Sequence, residues 1–281
     1  MTRMQRLGAA LAIALSSTIA SSAVPDAGSA AALRADYATL KPELEASAFG
    51  KPLHLVSKQA RDRVEGDIHA VIDQPFDTVR SALSDVRSWC DILIVHPNVT
   101  SCRAASDGKS IAVGVGKQAT PAAFSFGVAS ADPDYLDVQL HADDGPLGTT
   151  DYRIRLQATP LDRNTTLLRL VYSHAFGMQA RLAMRAYLST FGRGKVGFTV
   201  VGQSPDGKPV YVDDFRGALE RNAMRYYLCI EAYLASLAAP QDRRFERQLQ
   251  TWYSYTERWP LQLHEEPHYL ALKRNIARAT N

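Results

Sequence analysis

Six segments between residues 99 and 174 alternate apolar and polar side chains at a spacing of two, separated by Gly, Pro or Asp. They run over 99–104, 110–117, 122–131, 135–142, 149–158 and 165–174. Period two marks a strand with one buried face, and successive strands joined by short turns pair with their neighbours, so this stretch predicts an antiparallel meander. Parity separates the two faces. Arg153, Arg155, Arg169, Asp137, Gln139 and His141 fall on one, whereas Tyr152, Ile154, Leu156, Leu168, Leu170, Leu136, Val138 and Leu140 fall on the other. One face should be wet and the other covered. The same rule puts Phe124, Phe126 and Val128 on the covered face, provided that no bulge shifts the parity.

A further alternating strand, 64–72, precedes the meander and ends at Gln74-Pro75. Pro75 suits the start of a helix carrying Phe76, Val79, Leu83 and Val86. After His174 the pattern predicts a helix over 178–188, a strand over 196–201, a turn at Ser204-Pro205-Asp206-Gly207 and a strand over 209–212 that should complete the sheet. The longest helix runs from Asp213 or Asp214 to Leu237. Phe215, Leu219, Asn222, Tyr226, Ile230, Tyr233 and Leu237 form its stripe, which must cover something. Beyond Pro240, Phe245, Leu249, Trp252, Thr256 and Trp259 form a second stripe, and a last helix begins near Pro267. The Ala-rich stretch 24–60, with a helix near 33–48 and a Gly50-Lys51-Pro52 break, reads as an arm or linker. The expected class is α+β, with a main domain over 61–238 and a helical extension over 239–281.

Arg3 and Arg6 precede an apolar run over 7–20, and Ser21-Ser22-Ala23 follows with the small residues that a signal peptidase reads. Residues 1–23 are therefore expected to be a cleaved leader of bacterial style, and the protein to be periplasmic or secreted. The run is shorter than the ~20 residues of a bilayer-spanning helix, and no later segment approaches that length without charges. Loss of the two leader arginines lowers the formal charge of +3 to about +1, too small a field for a nucleic-acid partner. Three cysteines enter an oxidising compartment. Cys90 with Cys102 is the expected disulfide, three buried thiols being the alternative, while Cys229 reads as a small buried hydrophobe.

Catalytic and metal signatures are weak. His264-Glu265-Glu266-Pro267-His268 spells the zinc-protease motif, but Pro267 clashes with the carbonyl of Leu263 and pushes Glu266 out of the helical region, so the two histidines would not share a face. Gly114-Val115-Gly116-Lys117 lacks the spacing and terminal hydroxyl of a phosphate loop, and no G-x-S-x-G occurs. Asn98-Val99-Thr100 and Asn164-Thr165-Thr166 match glycosylation sequons that carry little weight behind such a leader. No metal and no cofactor is expected.

The opening unit VEGDIHAVIDQPFDTVRSALSDVRSWCDI and the closing helix DDFRGALERNAMRYYLCIEAYL, with a meander between, resemble the START-like superfamily, also called SRPBCC. The resemblance covers the two ends of 61–238 and lies in architecture, without a catalytic motif. It implies a helix-grip fold, a curved sheet wrapped around the long helix, and a cavity for a lipid, sterol-like or polyketide-like molecule. Phe124, Phe126, Val138, Leu140, Tyr152, Ile154, Leu170, Tyr172, His174, Asn222, Tyr226 and Ile230 are the candidate lining. Buried phenols need partners and can orient a ligand.

The favoured reading is a periplasmic carrier. The rivals are a cyclase- or aromatase-like enzyme using His174 as acid and base, and an envelope accessory protein. In the second rival the tail stripe of Trp252 and Trp259, flanked by Arg243, Arg244 and Arg247, meets a protein or a membrane surface.

Overall fold

A computed structural model describes residues 28–116, 119–190, 192, 194–265 and 268–280; the leader expected at 1–23 and the Glu266-Pro267 pair lie outside the described residues. In chain order come α1 (Ala30–Glu45), β1 (Leu53–Gln59), β2 (Arg63–Ile72), α2 (Phe76–Leu83), α3 (Val86–Ile94), β3 (Val99–Ala104), β4 (Ser110–Val115), β5 (Thr120–Asp132) and β6 (Tyr135–Asp144). They are followed by β7 (Thr149–Pro160), β8 (Thr166–Phe176), α4 (Met178–Ser189), β9 (Val200–Gln203), β10 (Pro209–Tyr211), α5 (Asp214–Ser236), α6 (Gln241–Glu257), α7 (Pro260–Leu263) and α8 (Tyr269–Thr280).

β1 to β8 form one antiparallel sheet in the order β1-β2-β8-β7-β6-β5-β4-β3, so the protein is α+β. The meander is continuous from β3 to β8. Because β2 pairs with β8, the chain must cross the whole sheet between β2 and β3, and α2 and α3 make that crossing. Asp85 breaks the crossing into two helices: its carboxylate accepts from Arg87 N at 2.9 Å and caps α3. Trp89, fully buried, donates from its indole N–H to Leu83 O at 2.9 Å and fixes the angle between them. Cys90 and Cys102 are joined across a separation of 12 residues, tying α3 to β3, which by loop closure stabilises by about 3 kcal/mol. Cys229 is buried and free.

Three expectations change. The segment read as an arm holds a strand: β1 pairs with β2 from Leu53↔Ala70 to Gln59↔Val64 and forms one edge of the sheet. The strand at 209–212 does not complete the sheet, because β9 and β10 form a separate two-stranded ribbon. The wet face is partly covered, since α1 lays Leu33 and Tyr37 over Val71, Tyr135 and Leu167. The remainder of that face is a row of ion pairs, including Arg155 with Asp137 at 2.5 Å and Arg169 with Asp67 at 2.6 Å.

α5 lies across the opposite face and is buried on nearly all sides. Leu219, Ala223 and Ile230 are closed to solvent, and so are Met224, Tyr227 and Leu228. Gly66 on β2 lets the helix come close: a Cβ there would stand 3.2 Å from the Cβ of Ala223. The tail covers the back of α5. Trp252 is fully buried, Tyr269 is 4.9 Å from it ring to ring, and Trp259 meets Phe49 and Phe198 edge-on at 5.9 and 6.1 Å. The stripe that the accessory-protein reading assigned to a partner or membrane is thus spent inside the molecule.

The start of α5 is anchored by a buried carboxylate. Glu220, fully buried, accepts from Phe198 N at 2.6 Å, Thr199 N at 2.9 Å, the Thr199 hydroxyl at 2.7 Å and the Ser57 hydroxyl of β1. One side chain therefore joins α5 to the edge strand and to the segment leading into β9. Glu220→Ala leaves these donors buried and unmet and is expected to cost about 3 kcal/mol or more in urea unfolding; a loss under about 1 kcal/mol would show that water replaces the carboxylate without penalty.

Candidate ligand cavity

Between the sheet and α5 lies a cavity of about 80 Å³. Its apolar wall comes from Val113 and Val115 of β4, Ala122 and Phe124 of β5, Leu140 of β6 and Ile154 of β7. Tyr152 and Tyr172 enter from β7 and β8, and Asn222 and Tyr226 from α5. The end of α3 and the connection to β3 add Leu93, His96, Asn98 and Val99, and Asp144, Gly145 and Pro146 form the rim.

Of the residues expected from sequence, Phe124, Leu140, Tyr152, Ile154, Tyr172, Asn222 and Tyr226 stand on this wall. The others do not. Val138, Leu170 and Ile230 are packed into solid core, where close-packed neighbours leave no space. Phe126 turns toward Trp89, with ring centroids 6.5 Å apart, and Val128, which still pairs in register with Val138 just before the β5–β6 register shifts, is 38% exposed. His174 lies one layer back, stacked on Tyr152 at 5.0 Å and 13°, so it does not face the cavity.

Sequence reasoning missed Leu93, His96, Asn98 and Val99. All four lie inside the loop closed by Cys90 and Cys102: Leu93 is in α3, Val99 opens β3, and His96 and Asn98 come from the aperiodic connection between them. That loop is also held by the tail. Lys273 of α8, fully buried, donates to His96 O and Val99 O at 2.5 Å each, Tyr269 donates to Val95 O, and Gln248 Nε2 donates to Asp91 O at 2.8 Å.

Four rings of the polar lining run in a line, with His174 behind the last of them. His96 stacks on Tyr226 at 4.7 Å; Tyr226 lies 5.0 Å from Tyr172, Tyr172 lies 6.2 Å from Tyr152, and Tyr152 covers His174. Each ring is fixed by a neighbour of known chemistry. The Tyr152 hydroxyl shares a hydrogen bond of 2.6 Å with Thr149 Oγ1, and its ring rests on Gly145, where an added Cβ would lie 2.1 Å from Tyr152 Cε2. Only glycine fits there. A bulge at Asp151, with φ of 49°, sets Tyr152 at that position, and Arg153, Arg63 and His141 all bond the Asp151 carboxylate, which holds its pKa far below the usual carboxylate range.

Burial keeps the rings uncharged. It pushes the hydroxyls of Tyr152, Tyr172 and Tyr226 up, with mutual repulsion among the phenolates adding to the last two. It pushes His96 well below the usual imidazole range, helped by the positive charges of Arg225 and Lys273, and lowers His174 to about 4, helped by Arg63. Asp144 on the rim is the one carboxylate among the described lining residues.

The zinc-like sequence has no helical geometry among its described residues. His264 and Glu265 lie in the connection between α7 and α8, and Glu265 is committed to Arg225 at 2.6 Å.

No family model and no curated protein matches the chain. Solved structures do. Truncated norcoclaurine synthase from Thalictrum flavum is 12% identical with a TM-score of 0.36, over 48% of this chain and 89% of that one. A START superfamily protein from Mycobacterium smegmatis is 16% identical with a TM-score of 0.30, over 47% of this chain and 95% of that one. The di-domain ARO/CYC protein BexL from the BE-7585A biosynthetic pathway is 16% identical with a TM-score of 0.33, over 46% of this chain and 42% of that one. At these values the likeness carries nothing about activity. The architecture, an antiparallel sheet closed over a long helix, stands on the chain's own sheet order and on α5.

Proposed function

We propose that this protein binds and carries a neutral, largely apolar small molecule held between the sheet and α5, and that it does so in the periplasm or outside the cell. The observation that carries the reading is the lining: three phenols, two amides and an uncharged imidazole set in a wall that is otherwise apolar except for Asp144 at the rim. Such a wall desolvates a ring and offers it a few fixed hydrogen bonds. An anionic ligand would be buried there without a cationic partner among the lining residues and beside the Asp144 carboxylate. The leader pattern supports the location.

Volume decides the scale of the ligand. A cavity of roughly 150 Å³ takes one benzene, and drug-sized sites run to roughly 300–1,000 Å³. At about 80 Å³ the cavity, which opens at its rim, falls short of a full ring, so a single ring enters with a small parting of the walls and a sterol or an acyl chain only with a large one. The reading therefore favours a one-ring compound over a lipid. His174, the acid–base candidate of the enzyme reading, sits behind Tyr152 and stays neutral down to about pH 4, which favours holding over turnover.

Benzamide and benzoate separate these ideas, being close in shape and different in charge. At pH 7 benzamide is expected to raise the melting temperature of the mature protein and benzoate to leave it unchanged, and Gly145→Ala, which displaces Tyr152, should weaken benzamide at least tenfold. Equal stabilisation by the two compounds would sink the neutral-ligand reading. Native mass spectrometry of protein purified from its own envelope checks the same point without a chosen probe.

Stability should also titrate. His174 has a folded pKa of about 4 against an ordinary 6.5, so above pH 6.5 neither state carries the proton, and below it the unfolded chain takes up a proton that the folded chain refuses. Stability is thus complete above about pH 6.5 and falls by up to about 3 kcal/mol as the pH drops to about 4, with His69 and His96 adding to the same limb. Urea unfolding from pH 7 to pH 4 measures the slope. His174→Phe should flatten it, and an unchanged slope would show that His174 titrates normally.

A further inference from the structure

Asp137, Glu220, Arg221, Arg225 and Lys273 are the charged side chains buried among the described residues, histidines aside. All but one are answered. Arg155 pairs with Asp137, the donors already described meet Glu220, Glu265 takes Arg225 at 2.6 Å, and the carbonyls of His96 and Val99 hold Lys273. Arg221 is 7% exposed and makes neither a hydrogen bond nor an ion pair among the described residues. Arginine is almost never buried unless it is paired, because a charge taken from water without a partner is costly. None of its side-chain nitrogens is closed to solvent, so the cover lies over the stem and the tip of the guanidinium still reaches water. Burial, and then the charge of Arg225, lower its pKa to about 10, which leaves it cationic at neutral pH.

The groups whose charge acts on Arg221 come from the elements beside it: Arg225 one turn along α5, Glu265 in the connection between α7 and α8, and Tyr187 of α4. Glu265 is the carboxylate of the set, and its Oε1 is committed to Arg225. Tyr187 accepts from Lys195 Nζ at 2.7 Å and so keeps its own O–H to give. Asp213 and Asp214 share a recess with Arg185 and Lys195 and are not among the charges that act on Arg221. Two guanidiniums, a lysine and a phenol thus gather around one carboxylate, which leaves net positive charge and unused donors.

A guanidinium is a planar fork that matches two oxygens of a phosphate or a carboxylate. A tetrahedral phosphate has further oxygens for donors outside that plane, such as the Tyr187 hydroxyl, and carries more charge to set against the excess. We infer that Arg221 anchors an oxyanion site at the seam of α4, α5 and the α7–α8 connection, and that its ligand is a phosphate group, free or as an ester, with Arg225 and Tyr187 as supporting donors. The site is separate from the cavity, whose described lining includes neither arginine.

Melting of the full mature chain in phosphate, against chloride of the same ionic strength, tests it in the wild type and in Arg221→Met, whose apolar side chain can occupy the covered stem. Phosphate also strengthens folding in general by its exclusion from protein surfaces, so the difference between the two proteins is the readout. In chloride the variant should melt no lower than the wild type, since it removes an unanswered buried charge. Phosphate should then raise the wild type by several degrees more than the variant, saturably, and in titration calorimetry should bind the variant about tenfold more weakly or worse. A second measurement needs no variant: the Arg221 Nε–H signal of the wild type should move with phosphate and stay with chloride. Glycerol 3-phosphate matching inorganic phosphate would assign the site to an ester, and binding about tenfold weaker would assign it to the free ion. A variant that melts well below the wild type in chloride, an equal gain from phosphate in both proteins, or an unmoved Arg221 signal overturns the site. Benzamide should bind both proteins alike, so failure of this site and failure of the cavity reading are told apart.

Discussion

A helix that is apolar on almost every side cannot be kept from water by a single sheet. α5 carries Leu219, Ile230 and Ala223 toward the strands and Met224, Tyr227 and Leu228 away from them, so it needs a cover on both sides. The sheet supplies one, and α6, α7 and α8 supply the other. Much else follows from that requirement. The tail's tryptophans are consumed as packing, Gly66 is needed for close approach, and Glu220 must find all its partners inside, because its position on the helix leaves it no route to solvent.

The cavity exists where this clasp is incomplete. Along most of α5 the sheet side chains interdigitate with the helix, as Val138, Leu170 and Ile230 do. Toward β4 and β5 the wall side chains are small, Val113, Val115 and Ala122, and α5 presents Asn222 and Tyr226 in place of aliphatic residues. Rings do not interlock with a sheet surface as branched aliphatics do, and their polar atoms resist burial against hydrocarbon. The same substitutions that create the space make it partly polar, so volume and recognition chemistry have one origin.

Much of this fold was legible because its strands are covered on one face and keep period two, and because α5 and α6 carry long stripes. β1 was not. Ser57 occupies an inward position there to meet Glu220, and a polar residue facing inward erases the alternation that announces a strand. α1 was legible only as an Ala-rich helix, and its seat, Val71, Tyr135 and Leu167, looks like noise in an otherwise polar parity. The site divides in the same way. Tyr152, Tyr172, Asn222 and Tyr226 sit on periodic elements and could be placed, whereas parity cannot tell a cavity-facing Leu140 from a core-facing Val138, since both point to the same side. His96 comes from a connection with no period at all, and only three-dimensional placement shows that it lines the cavity.

The bonds from Lys273 to His96 and Val99 span 177 and 174 residues of chain. One wall of the cavity is therefore secured by a helix that follows the sheet and α5 in the chain. Contacts of such long range form late, because the chain between them must be ordered first. Closure of the cavity is in this sense a late event, in which a molecule that has already ordered its sheet and central helix completes that wall only when α8 docks.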